Sequence, residues 1–480
     1  MLMNRPTIVW LRQDLRVADH PALHAAAERP GVIPLFIWAP DEEGAWPAGG
    51  ATRWWLHHSL ASLDEQLQQL GSRLIVRRGP AHQTLRAVID ETGADAVLWC
   101  RRYEPAAIAR DKQLKATLAT AGIRAESFNG SLLHEPWTIS TRQGGPFQVF
   151  TPFWKSCQAA DVERDPLPAP RRLPPPDAWP ESLPLNALEL LPTIPWDRGF
   201  YETWTPGAPA AERRLAAFCA ERLAAYKQDR NRVDIEGFSR LSPHLHFGEL
   251  SPRQAWQAVQ QTVAQEPTAA EGAASFLSEV GWREFAHHLL YHFPHTTDRP
   301  LREAFEKFPW AGDRSAERQW QRGRTGYPIV DAAMRELWAT GFMPNRARMI
   351  VASFLTKDLL IPWQQGARWF WDTLVDADLA NNTLGWQWTA GCGADAAPYF
   401  RVFNPVSQAE QFDPQGDYIR RWVPELGRLE PPWLFKPWEA PNNVLTAAGV
   451  RLGDTYPRPI VDHAAAREAA LAAFAKIRGS

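Results

Sequence analysis

Short apolar runs alternate with amphipathic segments along the first part of the chain. The apolar runs predict buried strands, and the segments with apolar residues at helical spacing predict helices. Because near-continuous apolar strands that alternate with helices are typical of a parallel sheet covered on both faces, we expect a doubly wound α/β domain at residues 1–132. The predicted strands are 7–11, 32–38, 73–76, 96–100 and 124–128, and the predicted helices are 52–70, 81–92 and 106–121.

A proline-rich stretch follows this domain. Residues 166–209 contain 12 prolines in 44 positions, and proline is disfavoured in helix interiors and central strands. We therefore expect residues 133–209 to form a long interdomain connector. Strand signals almost vanish beyond it, and helical spacing predicts an all-α domain at residues 210–480. The predicted helices of that domain are 211–229, 270–293, 328–340, 344–360, 366–374 and 462–477.

Charge and cysteine content narrow the classes of protein that fit. The 52 basic residues balance 54 acidic ones, so the net charge favours a small-molecule enzyme, and a DNA partner would need a local basic surface. The four cysteines form no C-x-x-C pair, which argues against a disulfide framework or a metal site. No apolar run reaches the length of a membrane helix and no signal-peptide core is present, so we expect a cytoplasmic protein without a membrane partner. No G-x-G-x-x-G follows the first predicted strand, which argues against a dehydrogenase.

Two tryptophans, Trp386 and Trp388, follow a group of carboxylate and amide side chains that includes Asp376 and Asn382. The stretch 385–405 has few helix formers, and its composition indicates a polar pocket with aromatic walls. Together with four motifs upstream, it resembles the DNA photolyase and cryptochrome family, most closely the class I-type photolyases that repair cyclobutane pyrimidine dimers. The upstream motifs are Phe-Ser-Arg-Leu-Ser at 238–242, Trp-Arg-Glu-Phe at 282–285, Thr-Gly-Tyr-Pro at 325–328 and Pro-Asn-Arg-Ala-Arg-Met at 344–349.

The resemblance implies FAD as the cofactor of the helical domain. Hydroxyls, backbone N–H groups and an arginine in the turn 238–242 could hold a pyrophosphate where the turn leads into a helix. Phe238 stands where the family has threonine, which removes one hydroxyl. Asn382 matches the residue that faces the flavin N5, where plant cryptochromes carry an aspartate, and this favours repair over signalling. The implied FAD contacts are Tyr226, Phe238, Ser239, Arg240, Leu241, Ser242, Phe276, Arg283, Arg348, Asp376, Ala377, Asp378 and Asn382.

The resemblance also implies a cavity for damaged DNA. A flipped pyrimidine pair needs an apolar slot between stacking surfaces, and Trp282 and Trp388 match its two walls. Glu279, three residues before Trp282, can share a helix face with it and matches the residue that hydrogen-bonds the dimer during catalysis. The remaining implied dimer or DNA contacts are Arg230, Asn345, Arg346, Met349, Arg401 and Gln408. The implied electron chain to the flavin is Trp310, Trp363 and Trp386.

Family members often bind a second, light-gathering chromophore in the α/β domain. Ala106 and Ala107 replace the asparagine and glutamate of the best-known folate-binding members. Three possibilities stay open: a folate bound in another mode, a deazaflavin, or no antenna. The function implied is light-driven repair by a monomeric deoxyribodipyrimidine photo-lyase acting on damaged DNA. The alternatives are a cryptochrome-type photoreceptor, a (6-4) photolyase and a light-independent flavin oxidoreductase. The (6-4) photolyase is disfavoured because residues 344–349 contain no histidine.

Overall fold

The computed structural model describes residues 5–160, 165–396 and 400–478. Its only sheet within these ranges has five parallel strands in the order β3-β2-β1-β4-β5, which confirms the predicted doubly wound α/β domain. Val9 on the central strand lies between Pro34 and Leu98 of the flanking strands. The strands are β1 Thr7–Leu11, β2 Val32–Trp38, β3 Ile75–Arg78, β4 Ala96–Cys100 and β5 Arg124–Phe128.

Helices cover both faces of this sheet because its strands are apolar on both sides. The first four helices are α1 Pro21–Ala27, α2 Gly50–Gln69, α3 Ala81–Thr92 and α4 Pro105–Thr120. α1 and α2 pack on the face that carries Val9 and Leu11. α3 and α4 pack on the opposite face, which carries Ile8 and Trp10. This alternation of side chains is what a parallel sheet buried on both faces requires.

The connector runs over the surface of the sheet domain and also contributes helices. The N–H groups of Leu173 and Leu183 donate to the carbonyls of Leu70 and Val76, at 2.9 Å each. Two helices interrupt the connector, α5 Phe150–Ala159 and α6 Arg198–Thr203. The sequence analysis did not predict α5, whose apolar residues pack on the helical domain.

The second half is helical, as predicted, and within the described ranges no helix is both long and apolar enough to cross a membrane. One turn of π-helix, Phe354–Asp358, follows directly on α14. The helices are α7 Ala208–Glu221, α8 Tyr226–Asp229, α9 Ser242–His246, α10 Pro252–Gln265, α11 Ala270–His292, α12 Arg314–Gln321, α13 Pro328–Thr340, α14 Asn345–Ser353, α15 Trp363–Thr373, α16 Leu379–Ala390, α17 Pro405–Phe412, α18 Asp417–Trp422, α19 Asn442–Ala448 and α20 His463–Arg478.

Two predicted helices are wrong in their extent. The helix expected at 211–229 breaks between α7 and α8, where α11 approaches so closely that a Cβ on Gly272 would lie 1.7 Å from the Leu223 carbonyl oxygen. The helix expected at 344–360 ends as α14 and widens into the π-helical turn. Tertiary packing therefore overrides local helical spacing between α7 and α8.

The first part of the stretch 385–405 belongs to a helix, α16, that is not among those predicted from the sequence. α16 runs to Ala390 because the Asp378 side chain caps it, accepting a hydrogen bond from the Asn381 N–H at 2.8 Å, and because α11 and α15 pack against it. A glycine with φ of 88°, Gly391, ends it. Residues 397–399 of the stretch lie outside the described residues.

Candidate functional site

Three segments that are far apart in sequence meet at the carboxylate of Asp376. Arg348 on α14 donates from Nη2 to both carboxylate oxygens, at 2.7 and 3.0 Å. The hydroxyl of Ser242, at the end of the turn 238–242, donates to Oδ2 at 2.6 Å. Asp376 is buried, and a buried carboxylate needs such partners. The fold thus brings three of the predicted FAD contacts into one hydrogen-bonded group.

Asp378 forms a second buried polar group beside the first. His246 Nδ1 and His287 Nε2 lie 3.6 and 3.5 Å from its Oδ2. Burial alone would raise the pKa of Asp378, but the facing His287 and His246 and the Arg283 charge lower it below its ordinary value. Sequence reasoning missed both histidines, although each stands close to a motif, His246 after the turn and His287 after Trp-Arg-Glu-Phe.

The turn 238–242, which was predicted to bind a pyrophosphate, has a strained backbone. Arg240 adopts a φ of 54°, which is uncommon for a residue other than glycine and often marks a functional position. Its guanidinium lies over the rings of Phe342 and Phe238, at 5.1 and 5.5 Å, and reaches Glu236 at 3.0 Å. The Ser239 hydroxyl accepts from the Leu241 N–H at 3.4 Å. Phe238 therefore packs on a neighbouring ring in place of offering a hydroxyl.

Unpartnered polar atoms at this site fit a polar ligand. Nε of Arg240 is buried without a hydrogen-bond partner in the structure, and Nδ1 of His246 makes only a long contact of 3.6 Å with the Asp378 carboxylate. Buried donors and acceptors are normally satisfied, so orphaned atoms beside Asp376 and Asp378 suit a group with several hydrogen-bonding atoms. Ala377 lies buried between the two aspartates. The donor set fits a dinucleotide such as FAD.

Two other predicted FAD contacts, Tyr226 and Phe276, form an aromatic cluster with Phe218. The rings of Tyr226 and Phe276 meet edge to face with centroids 5.6 Å apart, and Phe218 packs on Phe276 at 4.8 Å. Burial raises the pKa of the Tyr226 hydroxyl above its ordinary value. Both predicted contacts, Tyr226 and Phe276, are therefore neutral and apolar in character, as one wall of a flavin pocket would be.

Asn382 and Arg283 are held by backbone carbonyls. Asn382 lies one turn into α16 and donates from Nδ2 to the Ala367 carbonyl at 3.0 Å, which fixes the orientation of its amide. Arg283 on α11 donates from Nη1 to the Ser131 carbonyl at 2.7 Å. Arg283 thus ties the helical domain to the end of the α/β domain, while its charge acts on the nearby Asp378.

The three predicted electron-chain tryptophans share one hydrophobic core. Trp386 and Trp363 are buried in it, and the half-buried Trp310 packs against its edge. Trp386 meets Phe370 edge to face at 5.0 Å and Trp320 at 6.2 Å. Trp320, which the sequence analysis did not single out, is fully buried and has no motif around it that would have marked it.

The predicted dimer-binding side chains lie on three helices, α11, α14 and α16, and α16 packs against both of the others. Glu279 and Trp282 are half-buried on α11, and Trp388 is half-buried on α16. Arg230 pairs with Glu279 at 2.6 Å. Asn345 and Met349 share one face of α14, with Nδ2 and Sδ 4.0 Å apart. The amide, carboxylate and thioether groups expected around a dimer are thus present, and Glu279 already has a cationic partner.

Three arginines predicted to contact DNA lie near one another. Burial lowers the pKa of Arg346, and the charges of Arg401 and Arg230 lower it further, which is what clustered cations do to one another. Arg346 also lies over the Phe412 ring at 4.3 Å. This cluster is a local basic surface in a chain of balanced charge. Gln408 differs from the other predicted DNA contacts because it is buried on α17.

Comparison with known proteins agrees with this site. Residues 7–172 match the family described as DNA photolyase, and residues 276–476 match the family described as the FAD binding domain of DNA photolyase. A deoxyribodipyrimidine photo-lyase of Agrobacterium fabrum is 49% identical over 479 residues, which are 99% of this chain and 99% of that protein. Cryptochrome-2 of Arabidopsis thaliana is 42% identical, covering 100% of this chain and 80% of that protein.

A solved structure is also similar over the full length of the chain. The crystal structure of a bacterial class III photolyase from Agrobacterium tumefaciens matches with a TM-score of 0.96 and 48% sequence identity, covering 100% of this chain and 99% of that one.

Proposed function

The chain belongs to the DNA photolyase and cryptochrome family, and on that premise we propose that it repairs cyclobutane pyrimidine dimers in DNA with light. The observation that carries this proposal is the arrangement on one side of the polar site, where Glu279 and Trp282 lie beside clustered arginines. When bound, reduced FAD would supply, after excitation by blue or near-ultraviolet light, the electron that splits the dimer. We propose that the protein acts on damaged DNA as a monomer in the cytoplasm.

The residues of this chain would have separate tasks. Ser242, Arg348 and Asp376, with Asp378 and Asn382, would hold and orient the cofactor. Trp282 and Trp388 would take the flipped dimer between their rings. Glu279, whose pKa is raised by burial, would in its protonated form donate a hydrogen bond to the dimer carbonyls and stabilise the negative charge that develops there. The arginines Arg230, Arg346 and Arg401 would grip DNA phosphates. The core tryptophans Trp310, Trp363 and Trp386 would form an aromatic path between the protein surface and the site.

The subclass that we propose is class III, in place of the class I-type expected from the motifs. The support is the full-length match to the Agrobacterium class III structure. We also retain as a proposal the division into an antenna-binding α/β domain at 1–132, a connector at 133–209 and a catalytic domain at 210–480.

A photoreceptor is the alternative that the comparison with Cryptochrome-2 keeps open. The amide at Asn382 and the basic cluster around Arg346 favour repair, since signalling needs neither a dimer slot nor phosphate contacts. The test is to illuminate the purified, reduced protein with an oligonucleotide that contains one thymine dimer. We expect loss of dimers in the light, none in the dark, and a large loss of rate in Glu279→Ala. No repair above the dark control would refute the proposal.

The structure also suggests where a light-gathering antenna chromophore could bind. In open parallel sheets, ligands usually bind at the carboxyl ends of the strands where the strand order reverses, which here is between β1 and β4. An ion network fills that place, with Arg102 held by Glu43 at 2.7 Å and by Glu104 at 2.9 Å. Arg12 and Asp111 extend it at 2.7 Å.

We propose that the antenna binds in a different cavity of about 390 Å³, between α2, the connector and the helices α13 and α15. Trp196 and Trp338 line it, and Trp338 is 54% exposed although it stacks on Trp369 at 6.1 Å. Exposed aromatic side chains around a concave surface are typical of a ligand site, and indole rings stack on planar heterocycles. Arg53 also lines the cavity and could meet the carboxylates of a folate tail.

The absorption spectrum of the purified protein tests this placement. Trp338→Ala should lose the second chromophore band and keep the flavin band. Trp137→Ala is the matched control, because Trp137 is 47% exposed but lies away from the cavity. A second band that survives Trp338→Ala unchanged would exclude this cavity as the antenna site.

A further inference from the structure

Trp282, one proposed wall of the dimer slot, is covered on one side by a ring from the connector. Phe150, the first residue of α5, stacks on Trp282 with centroids 3.9 Å apart and planes 9° apart. No other ring in the described ranges stacks on Trp282, since its remaining aromatic contact, Phe285, meets it at 73°. Phe150 is buried, whereas Trp282 is half-buried. One indole face is therefore backed by protein.

The helix that carries Phe150 is pressed tightly onto α11. Trp154, one turn along α5, stacks on Phe150 at 6.4 Å and 12°. It lies directly over Gly281, where an added Cβ would come within 2.6 Å of the Trp154 ring. A larger residue at 281 would push α5 outward, so the glycine beside Trp282 allows the stack of three rings to form. Three nearly parallel rings hold one another in a single orientation.

The same short segment also contacts the loop that follows α16, the helix of the second proposed wall. The carbonyl of Gln148, two residues before Phe150, accepts a hydrogen bond from the Asp395 N–H at 3.1 Å. Asp395 belongs to the loop that follows α16, the helix that carries Trp388. Residues 148–150 therefore contact α11 through a ring stack and the end of α16 through a backbone hydrogen bond.

We propose that Phe150 is a positioning residue for the dimer, which fixes the orientation of Trp282 so that its free face accepts the flipped pyrimidine pair. The proposal rests on the repair function proposed above and assigns to the connector a part of the substrate site. Stacking of an aromatic pair contributes roughly 0.5–1.5 kcal/mol beyond the area that it buries. Loss of the backing ring should therefore weaken dimer binding about two- to tenfold, because Trp282 would have to be ordered on binding.

The test compares affinity for an oligonucleotide with one thymine dimer against affinity for the same undamaged sequence. Phe150→Leu keeps an apolar side chain and removes the stacking face. We expect it to lower the preference for the dimer about two- to tenfold, with unchanged affinity for undamaged DNA and unchanged FAD content. Phe150→Tyr, which keeps the ring, should restore the preference. Phe150→Met serves the same purpose as Phe150→Leu if the latter folds poorly.

Phe153→Leu is the matched control. Phe153 lies on the same helix and is also buried, but it contacts Phe285 and His288 and does not stack on Trp282. It should lower the melting temperature and leave the preference for the dimer unchanged. A folded Phe150→Leu with wild-type preference would overturn the inference alone. A wild-type protein that shows no preference for the dimer would instead overturn the proposed function.

Discussion

Lys357 allows a quantitative test of how the core of the helical domain is built. It lies in the π-helical turn Phe354–Asp358 and is buried, with Nζ 3.4 Å from the centroid of the Phe400 ring. Burial lowers the pKa of Lys357 from 10.5 to about 7, and the neighbouring Cys392 and Asp358 act in the opposite direction. Asp358 is itself paired with His463 of α20 at 2.5 Å. We expect Lys357→Met to stabilise the protein at neutral pH.

The magnitude follows from the difference between the two pKa values. A lysine whose pKa falls from 10.5 in the unfolded chain to about 7 in the fold costs about 5 kcal/mol of unfolding free energy at pH 7 and below. Attraction between the cation and the Phe400 ring returns about 0.5–2 kcal/mol of this. We therefore expect Lys357→Met to raise the unfolding free energy by about 3–4 kcal/mol at pH 6.5.

The sign of the pH dependence is fixed by which state binds more protons. Between about pH 7 and pH 10.5 the unfolded chain holds the Lys357 proton and the folded protein does not, so the unfolding free energy of the wild type rises with pH. The advantage of Lys357→Met should therefore shrink across this range and vanish near pH 10.5.

Urea unfolding at pH 6.5, 8 and 10, followed by circular dichroism, measures this advantage. Lys476→Met, at an exposed position of α20, is the control for loss of a lysine and should show no comparable gain. Subtracting the wild type at each pH cancels all other titrating groups. A variant that is less stable than the wild type at pH 6.5, or a gain that does not depend on pH, would refute the reasoning.

Three further predictions concern the candidate site and its support. Trp386→Phe should abolish light-driven reduction of the oxidised flavin, which absorbance measures. The same variant should still repair dimers after chemical reduction, and a loss of repair under that condition would contradict the assigned role. Burial raises the pKa of Glu336 to about 7 although the Tyr418 hydroxyl donates a hydrogen bond to it at 2.6 Å. Because the folded protein then keeps this proton at a pH where the unfolded chain loses it, Glu336 should lower the unfolding free energy by about 3 kcal/mol between pH 4.5 and 7.5. Glu336→Gln should lack this fall in urea titrations. Arg346→Ala should weaken binding to dimer-containing and undamaged DNA alike. The slope of the logarithm of the DNA association constant against the logarithm of salt concentration should fall by the amount expected for about one lost phosphate contact. An unchanged slope would show that Arg346 does not contact DNA.

Much of the fold could be predicted because it depends on local apolar patterns. Four of the five strands begin and end where the apolar runs predicted, and only β3 is displaced, from 73–76 to Ile75–Arg78. The helix α13 matches its predicted bounds, since Pro328 at its start and Gly341 at its end mark them in the sequence. Buried strands and capped helices carry their signals in consecutive residues, so no tertiary knowledge is needed to locate them.

The candidate site was predictable by residue and motif, but its pairings were not. The sequence placed Ser242, Arg348 and Asp376 in one pocket only through family resemblance, and nothing local indicated that they share a hydrogen-bonded group. The pair Arg230 and Glu279 was predicted as two separate contacts, one to DNA and one to the dimer. Even the pair Arg348 and Asp376 is separated by 28 residues. Such side chains meet only once the helices pack, and the local sequence does not indicate that packing.

The sequence by itself determined the class of fold, the two-part organisation of the chain, the residue types around the cofactor and the family to which the motifs point. Tertiary structure alone decided that α16 is a helix, that His246 and His287 face Asp378, and that the connector stacks Phe150 on Trp282. The physical reason is the range of the interactions. Hydrophobic periodicity and helix caps act between near neighbours in the chain, whereas helix stability, buried ion pairs and ring stacks depend on contacts that form only when distant segments exclude water together.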